Sequence, residues 1–353
     1  LFADPPWRDC SELEIPLSFV WNMKILIKER KSRVLSPSTL KCLNDTPTLN
    51  PTAGCAHLCS YCYARGYSNY PGDGTIVLYT NLVEKLENEL NRKRQTPGFV
   101  YFSPSCDAFQ PVKQVLDTTY SLMALLLQKG IGVSFLTKGR IPDRFIALFK
   151  SHSDNVNAHI GITTLNRQLQ KQIEPHAATP GTRLKNISAL VQIGVLPEAR
   201  FDPLIPGVTD STDNLDPLLK ILGRSGVRRV GLNYLFLRPI INKNIRDDLG
   251  HTKAMEKISQ AFCDNVDLKL LDGKSRVNAL NPDFRQKQYK HISLLAKQNG
   301  IKTYVCGYKN PDIAEDLTCS NIWQKYSDKN TVQYQLFNDH HSEITISQTS
   351  NPD

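Results

Sequence analysis

The sequence predicts an α/β chain built around a parallel sheet, either doubly wound or barrel-like. From about residue 75, strand-like runs alternate with helix-like ones, and Gly, Pro and Asp turns separate the pairs. No GxGxxG follows a strand and no P-loop motif occurs, so nucleotide-cradling folds of those kinds lose support.

Each unit carries its own signals. Residues 81–93, "NLVEKLENELNRK", have helical periodicity, and 99–104, "FVYFSP", is a short apolar strand. Helix 114–130 ends on Gly130, a natural C-cap, before strand 132–139. Helix 142–152 and strand 157–164 follow, then helices around "NRQLQKQI" and "GTRLKNISALVQIG". Strand 198–206, helix 214–226 and strand 228–238 complete the series. Beyond about 250 the pattern changes to helices near 251–263 and 282–299 and a short strand, "KTYVCGY". The tail from about 325 is polar and predicted to be loosely ordered.

With 353 residues, 40% of them hydrophobic, the chain can bury a sizeable core as one barrel with flanking pieces or as two domains. A net charge of +9 favours an anionic partner such as nucleic acid. No apolar run nears the roughly 20 residues that span a bilayer. No secretory signal pattern is visible either, so the expected location is cytoplasmic, with no membrane partner. Leu1 stands first, so the chain reads as starting inside a longer frame, with Met23 as an alternative start and 1–22 outside the native protein. "ADPPWR" (3–8) resembles the DPPW motif of adenine methyltransferases, but the rest of such a domain is not recognisable; a tail with a Pro-Pro turn is the plainer reading.

Nine cysteines are present, six of them scattered at 10, 42, 106, 263, 306 and 319. The other three, Cys55, Cys59 and Cys62, form CxxxCxxC inside "NPTAGCAHLCSYCYARGY". A tight cluster in a cytosolic chain reads as metal binding or redox chemistry rather than disulfides. Thiolates are soft ligands that suit iron–sulfur clusters, zinc or Cu(I). Structural zinc normally takes four ligands, and His57 within the loop is the nearest fourth candidate. A [4Fe–4S] cluster held by three cysteines instead keeps one iron open to a substrate or cosubstrate.

The triplet followed by βα units resembles the radical S-adenosylmethionine (SAM) superfamily. "LNPTAGCAHLCSYCYARGY" is similar to the cluster loop of the spore photoproduct lyase-like, or DNA repair photolyase-like, branch. "YFSPSCDAFQPV", "FLTKGRIPDR", "GITTLN", "IEPHAATPGTRL" and "DPLIPGVTD" match in the same order, over roughly residues 36–240. The resemblance implies a partial (βα)6 TIM-like barrel over 45–240. Around it would lie an N-terminal extension (1–44), a C-terminal helical and strand extension (241–325) and a polar tail (326–353). It also implies a [4Fe–4S] cluster on Cys55, Cys59 and Cys62, with SAM on the open iron. Reductive cleavage of SAM would then yield a 5′-deoxyadenosyl radical, with a flavodoxin or ferredoxin as electron donor.

The same resemblance assigns residue roles, each beside a plainer reading. Tyr61 would lie near the SAM adenine, and Tyr63 would relay a hydrogen atom; simple loop packing is the alternative for Tyr61. Cys106 falls in the region of a hydrogen-donating cysteine, though a lone thiol is more often buried and inert. Lys138 would meet the SAM carboxylate, while many strand-end lysines merely face solvent. Ser105, Thr163 and Thr164 would offer hydroxyls, or serve turns. Arg183 would bind the SAM carboxylate or a phosphate, or tie down its loop through a salt bridge.

Cys306 and Cys319 suggest a second metal site, although Tyr308 stands where related sequences carry another cysteine. Basic stretches at 24–33, 91–94 and 223–229 would follow a phosphate backbone or form solvated faces. The expected function is radical repair or modification of DNA or RNA. The alternatives are radical chemistry on a peptide, cofactor or metabolite, and a non-catalytic zinc-binding nucleic-acid module.

Overall fold

The structure, a computed structural model, describes residues 23–37, 46–270 and 275–313. The "ADPPWR" motif, Cys10, Cys42, Cys319 and the polar tail lie outside the described residues.

The first strands are β1 (Lys24–Lys28), β2 (Ser36–Pro37), β3 (Pro47–Leu49), β4 (Thr52–Ala53) and β5 (Thr75–Tyr79). Helices and strands then alternate: α1 (Leu82–Asn91), β6 (Phe99–Phe102), α2 (Lys113–Gln128), β7 (Gly132–Thr137), α3 (Asp143–Lys150) and β8 (Val156–Gly161). Next come α4 (Arg167–Ile173), α5 (Pro180–Gln192), β9 (Glu198–Leu204), α6 (Thr212–Arg224) and β10 (Arg229–Tyr234). The C-terminal part holds α7 (Pro239–Leu249), α8 (Lys253–Ala261), β11 (Asn265–Lys269), β12 (Arg276–Leu280), α9 (Pro282–Gln298) and β13 (Lys302–Val305).

Strand order chooses between the two sheet windings. β3, β6, β7, β8, β9, β10 and β13 lie side by side in chain order and pair in parallel, with β2 antiparallel to β3 at one edge. A doubly wound sheet would reverse its order part-way; this one keeps winding in one direction, as a βα barrel does. Its edge strands, β2 and β13, do not pair with each other among the described residues, so the barrel is open. β13 adds a seventh parallel strand to the six that the resemblance implies. β1 and β4 flank β5 in a separate small sheet, and β11 pairs antiparallel with β12.

Alternation along the strands separates core from cavity. Val133, Phe135, Ala158, Ile160, Ala199, Phe201, Val230 and Leu232 are buried in one apolar core. Each large side chain so buried contributes about 1.5–3 kcal/mol. α1 adds Leu82, Leu86 and Leu90, spaced at i, i+4 and i+8. Asn166, Thr179, Thr252 and Asn281 cap α4, α5, α8 and α9 through side-chain oxygens, each worth about 1 kcal/mol. On the opposite strand face two glycines leave room for long polar side chains. A Cβ on Gly161 would stand 2.9 Å from Lys138 Cγ, and one on Gly231 would stand 3.0 Å from Arg200 Cδ.

The strands are shorter than their sequence runs predict, in one consistent way. The runs predicted to 104, 139, 164, 206 and 238 end as strands at 102, 137, 161, 204 and 234. Of the residues left over at the C-terminal edge of the sheet, Ser103, Pro104, Lys138, Leu235, Phe236 and Arg238 line the site. β1, β5, α7 and the β11–β12 pair are not foreseen; β1, "KILIK", reads as a basic run because its two lysines and Ile27 stay exposed.

Candidate active site

The site starts in the loop after β3. Thr52 and Ala53 pair with β5, then Gly54 turns the chain at φ 82°, where a Cβ would meet Thr75 O at 2.5 Å. Leu58 takes φ 49° between the first two thiols. Gln110 anchors the loop: its Oε1 accepts from Ala56 N at 2.9 Å, and its Nε2 donates to Thr52 Oγ1 at 3.0 Å. Cys55, Cys59 and Cys62 all line one cavity of about 590 Å³, within the usual size of ligand sites.

Burial, then Asp107, raises the Cys55 thiol well above its ordinary pKa; burial, then Glu174, does the same for Cys59. Burial also raises Cys62, although the backbone N–H groups of Ala64 and Arg65 favour its thiolate. The bare thiols therefore hold their protons, and loading a metal must displace them. Among the described residues no three His, Cys, Asp or Glu side chains converge on one ion-sized point. A cubane needs less convergence than a single zinc ion does, because each thiolate takes a different iron. Three soft donors on the lining of a roomy cavity, Cys59 buried and Cys55 and Cys62 half-buried, fit such a cluster. His57 is engaged elsewhere, its Nδ1 lying 3.4 Å from Asp107 Oδ2.

Asp107 is a residue that sequence reasoning passes over. Its carboxylate accepts from Phe109 N at 2.8 Å, Thr137 Oγ1 at 2.7 Å and Lys138 N at 2.8 Å. It thereby joins the cysteine loop to the end of β7. Burial opposes this charge, but His57 and the hydrogen bonds outweigh it and lower the pKa to about 2.

Most expected residues meet in this cavity. Tyr61, Tyr63, Ser105, Cys106 and Lys138 line it. Tyr63 donates its hydroxyl hydrogen to the Pro104 carbonyl and packs edge-on against Tyr67 at 5.8 Å. Ser105 N and Oγ both donate to Asn50 Oδ1, at 3.1 and 2.9 Å, and Cys106 Sγ lies 3.7 Å from the same oxygen. Lys138 Nζ donates to the Asp202 carbonyl at 3.3 Å and stands 5.5 Å from the Tyr61 ring centre.

Three expected residues are placed elsewhere. Arg183 does not line the cavity and is 1% exposed. It donates to Gly161 O at 2.8 Å, to Ala178 O at 2.9 Å and to one oxygen of Glu174, whose other oxygen accepts from the Tyr61 hydroxyl. Its reach to the site is therefore indirect, through Glu174 and Tyr61. Thr163 is buried off the cavity with its carbonyl accepting from Asn214 Nδ2 at 2.8 Å, and Thr164 Oγ1 accepts from Asn166 N in a turn.

The wall supplied by β9, β10 and the segment after β13 is polar. Two residues of β9, Asp202 and Pro203, oppose Asn233 alone, a bulge that re-aims the strand at the cavity. Lys309 Nζ donates to both Asp202 oxygens at 2.8 Å, and Asn233 Nδ2 donates to Oδ1 at 3.1 Å. Burial opposes the Asp202 carboxylate, but Lys309 and then Arg200 outweigh it, and its pKa falls to about 2. An unfolded aspartate titrates near 3.9. This group's stabilisation is thus complete above about pH 5 and is lost as pH falls through about 2, an effect of about 2.6 kcal/mol. Lys309→Met is expected to flatten that acid limb in urea melts; an unchanged limb would contradict the pairing.

Of the expected second metal motif, Cys306 is buried on the cavity wall, while Cys319 lies outside the described residues. Cys263 is exposed and donates to Ser259 O at 3.4 Å. None of the three basic stretches lines the cavity. Its cations, Arg65, Lys138, Arg200, Arg238 and Lys309, come from separate parts of the chain.

Residues 49–219 match the radical SAM superfamily. The chain carries a radical SAM domain. An uncharacterised Mycobacterium tuberculosis protein is 28% identical over 200 residues, covering 54% of this chain and 59% of that protein. The match thus spans about three-fifths of that relative's length. A Methanocaldococcus jannaschii protein is 28% identical over 194 residues, 54% of this chain and 71% of its own. A radical SAM Nalpha-GlyT isomerase of Pseudomonas phage M6 is 26% identical over 174 residues, 49% of this chain and 36% of its own. In fold, the chain is similar to a spore photoproduct lyase mutant with bound AdoMet and dinucleoside spore photoproduct. That match has a TM-score of 0.62 and 13% identity, and covers 80% of this chain and 81% of the other. A radical SAM domain implies a [4Fe–4S] cluster and SAM, which is the donor set that the three thiols fit. No helix among the described residues is long and apolar enough to cross a membrane.

Proposed function

We propose that the protein is a radical SAM enzyme that repairs or modifies nucleic acid. The observation that carries the reading is a single cavity lined both by the three thiols and by Arg200, Arg238 and Lys309. A cluster and SAM, when bound, supply the 5′-deoxyadenosyl radical, and this chain's residues hold and orient what surrounds it. Cys55, Cys59 and Cys62 are the cluster ligands. Lys138 presents a cation to the SAM carboxylate, and Tyr61 keeps its ring beside that lysine. Tyr63 and Cys106 line the same cavity, where a hydrogen atom can be passed to a substrate radical. The cations of that lining receive the anionic substrate, DNA or RNA. An electron donor such as flavodoxin or ferredoxin supplies the reducing electron, in the cytoplasm. The likeness in fold to a lyase holding a dinucleoside photoproduct supports this substrate class.

The test is anaerobic purification with iron and sulfide assays, SAM cleavage after reduction, and oligonucleotide binding across a salt series. Bound iron, 5′-deoxyadenosine release and an affinity that falls steeply with salt are expected. Zinc alone would leave the non-catalytic zinc module. Iron and SAM cleavage without oligonucleotide binding at low salt would turn the reading to a peptide, cofactor or metabolite substrate.

A further inference from the structure

The cavity contains a buried histidine that the proposed chemistry leaves unused. His159, midway along β8, is 3% exposed and lines the same cavity as the thiols. Register sets it beside Leu136 of β7 and Glu198 of β9. Its Nδ1 lies 3.5 Å from Glu198 Oε2 without forming a hydrogen bond, close enough for the carboxylate charge to favour the proton on that nitrogen. Glu198 is itself held in place: the Tyr304 hydroxyl donates to Oε2 at 2.6 Å, and Arg229 Nε stands 3.3 Å from Oε1. Burial lowers the His159 pKa to about 4; Glu198 opposes this, and Arg200 and Arg229 assist it. The ring is therefore neutral near pH 7, and Nε2 is an acceptor. Among the described residues Nε2 has no hydrogen-bond partner, an arrangement that buried polar atoms rarely tolerate without a ligand or water.

Arg200 lies one inward position further along β9, opposite Gly161, and lines the cavity too. An acceptor beside a guanidinium complements a ring N–H beside a carbonyl, since arginine favours carbonyl acceptors on base edges. We propose that His159 Nε2 is a specificity determinant that accepts the ring N–H of a lactam nucleobase. This rests on the nucleic-acid reading above.

The test uses the anaerobically reconstituted full chain with SAM and three labelled trinucleotides. These carry uridine, N3-methyluridine or cytidine at the central position and are otherwise identical. The wild type is expected to bind the uridine probe about tenfold more tightly than the other two. His159→Phe is expected to bind all three alike, whereas His159→Gln, which keeps an acceptor, retains the preference. Iron content and a melting curve report whether each variant folds; if His159→Phe does not, the wild-type ranking with His159→Gln decides. Equal binding of the three probes by the wild type overturns the proposal, as does a preference that survives in His159→Phe. Failure of the wild type to bind any probe at low salt is a different result: it overturns the nucleic-acid reading, and this proposal with it.

Discussion

Cys59→Ala is expected to emerge from anaerobic purification with iron and sulfide near background and with SAM cleavage lowered at least about 100-fold. Changes in the outer shell of a metal site alone cost 10–100-fold, and Cys59 is here a ligand. The fold should survive. A buried free cysteine packs as a small hydrophobe, and the hydrogen bonds that anchor the loop, through Gln110, do not use the Cys59 thiol. The thermal melt of the metal-free protein should therefore move little. Cys263→Ala, an exposed position away from the cavity, is the control and should keep its iron. Full iron in Cys59→Ala would remove the triplet as the ligand set, whatever activity the protein shows.

Glu174→Ala is expected to destabilise the metal-free protein by about 3–5 kcal/mol, measured in urea. The reason is Arg183, which is 1% exposed and would be left as a buried charge without its counter-ion. Glu174→Leu with Arg183→Met should recover most of the loss, because removing both charges also removes both desolvation penalties. The pair is also sensitive to acid. Burial opposes the Glu174 carboxylate, but Arg183 and Lys138 keep its pKa below the ordinary value. Its stabilisation is therefore present above the unfolded glutamate pKa and fades as pH falls through the lower, folded one. A loss of less than about 1 kcal/mol in Glu174→Ala would place the pair in the range of exposed, solvated ion pairs and contradict its burial.

These two predictions differ in how far sequence alone could reach them. The cysteine triplet is a local pattern: eight consecutive positions hold all three thiols, and all three line one cavity. Lys138, Ser105 and Cys106 are legible for a related reason. They sit where apolar runs end, and in a parallel sheet those ends gather at one edge, where sites form. Arg183 and Thr163 look equivalent in the sequence, yet neither lines the cavity. Arg183 is drawn instead to the carbonyls of Gly161 and Ala178 and to Glu174, partners that its own spacing cannot reveal.

Lys309 is the converse case. It stands in a stretch that reads as part of a metal motif, but its charge pairs with Asp202, 107 residues earlier. That contact requires β13 to dock beside β10 and the β9 bulge to turn Asp202 inward. His159 escapes sequence reasoning because a histidine in the middle of an apolar strand is usually an ordinary core residue. Only the neighbouring strands show that Nδ1 stands 3.5 Å from a carboxylate of Glu198 and that neither ring nitrogen has a hydrogen-bond partner among the described residues.

By itself, then, the sequence determined the α/β alternation, the thiol triplet and the strand ends that surround it, because each is written in the spacing of neighbouring residues. Tertiary structure alone decided the open, singly wound barrel, the burial of Arg183, the Asp202–Lys309 pair and the burial of the His159 ring beside Glu198. Those depend on which strands lie side by side, and a long-range pairing leaves no periodic mark on either partner.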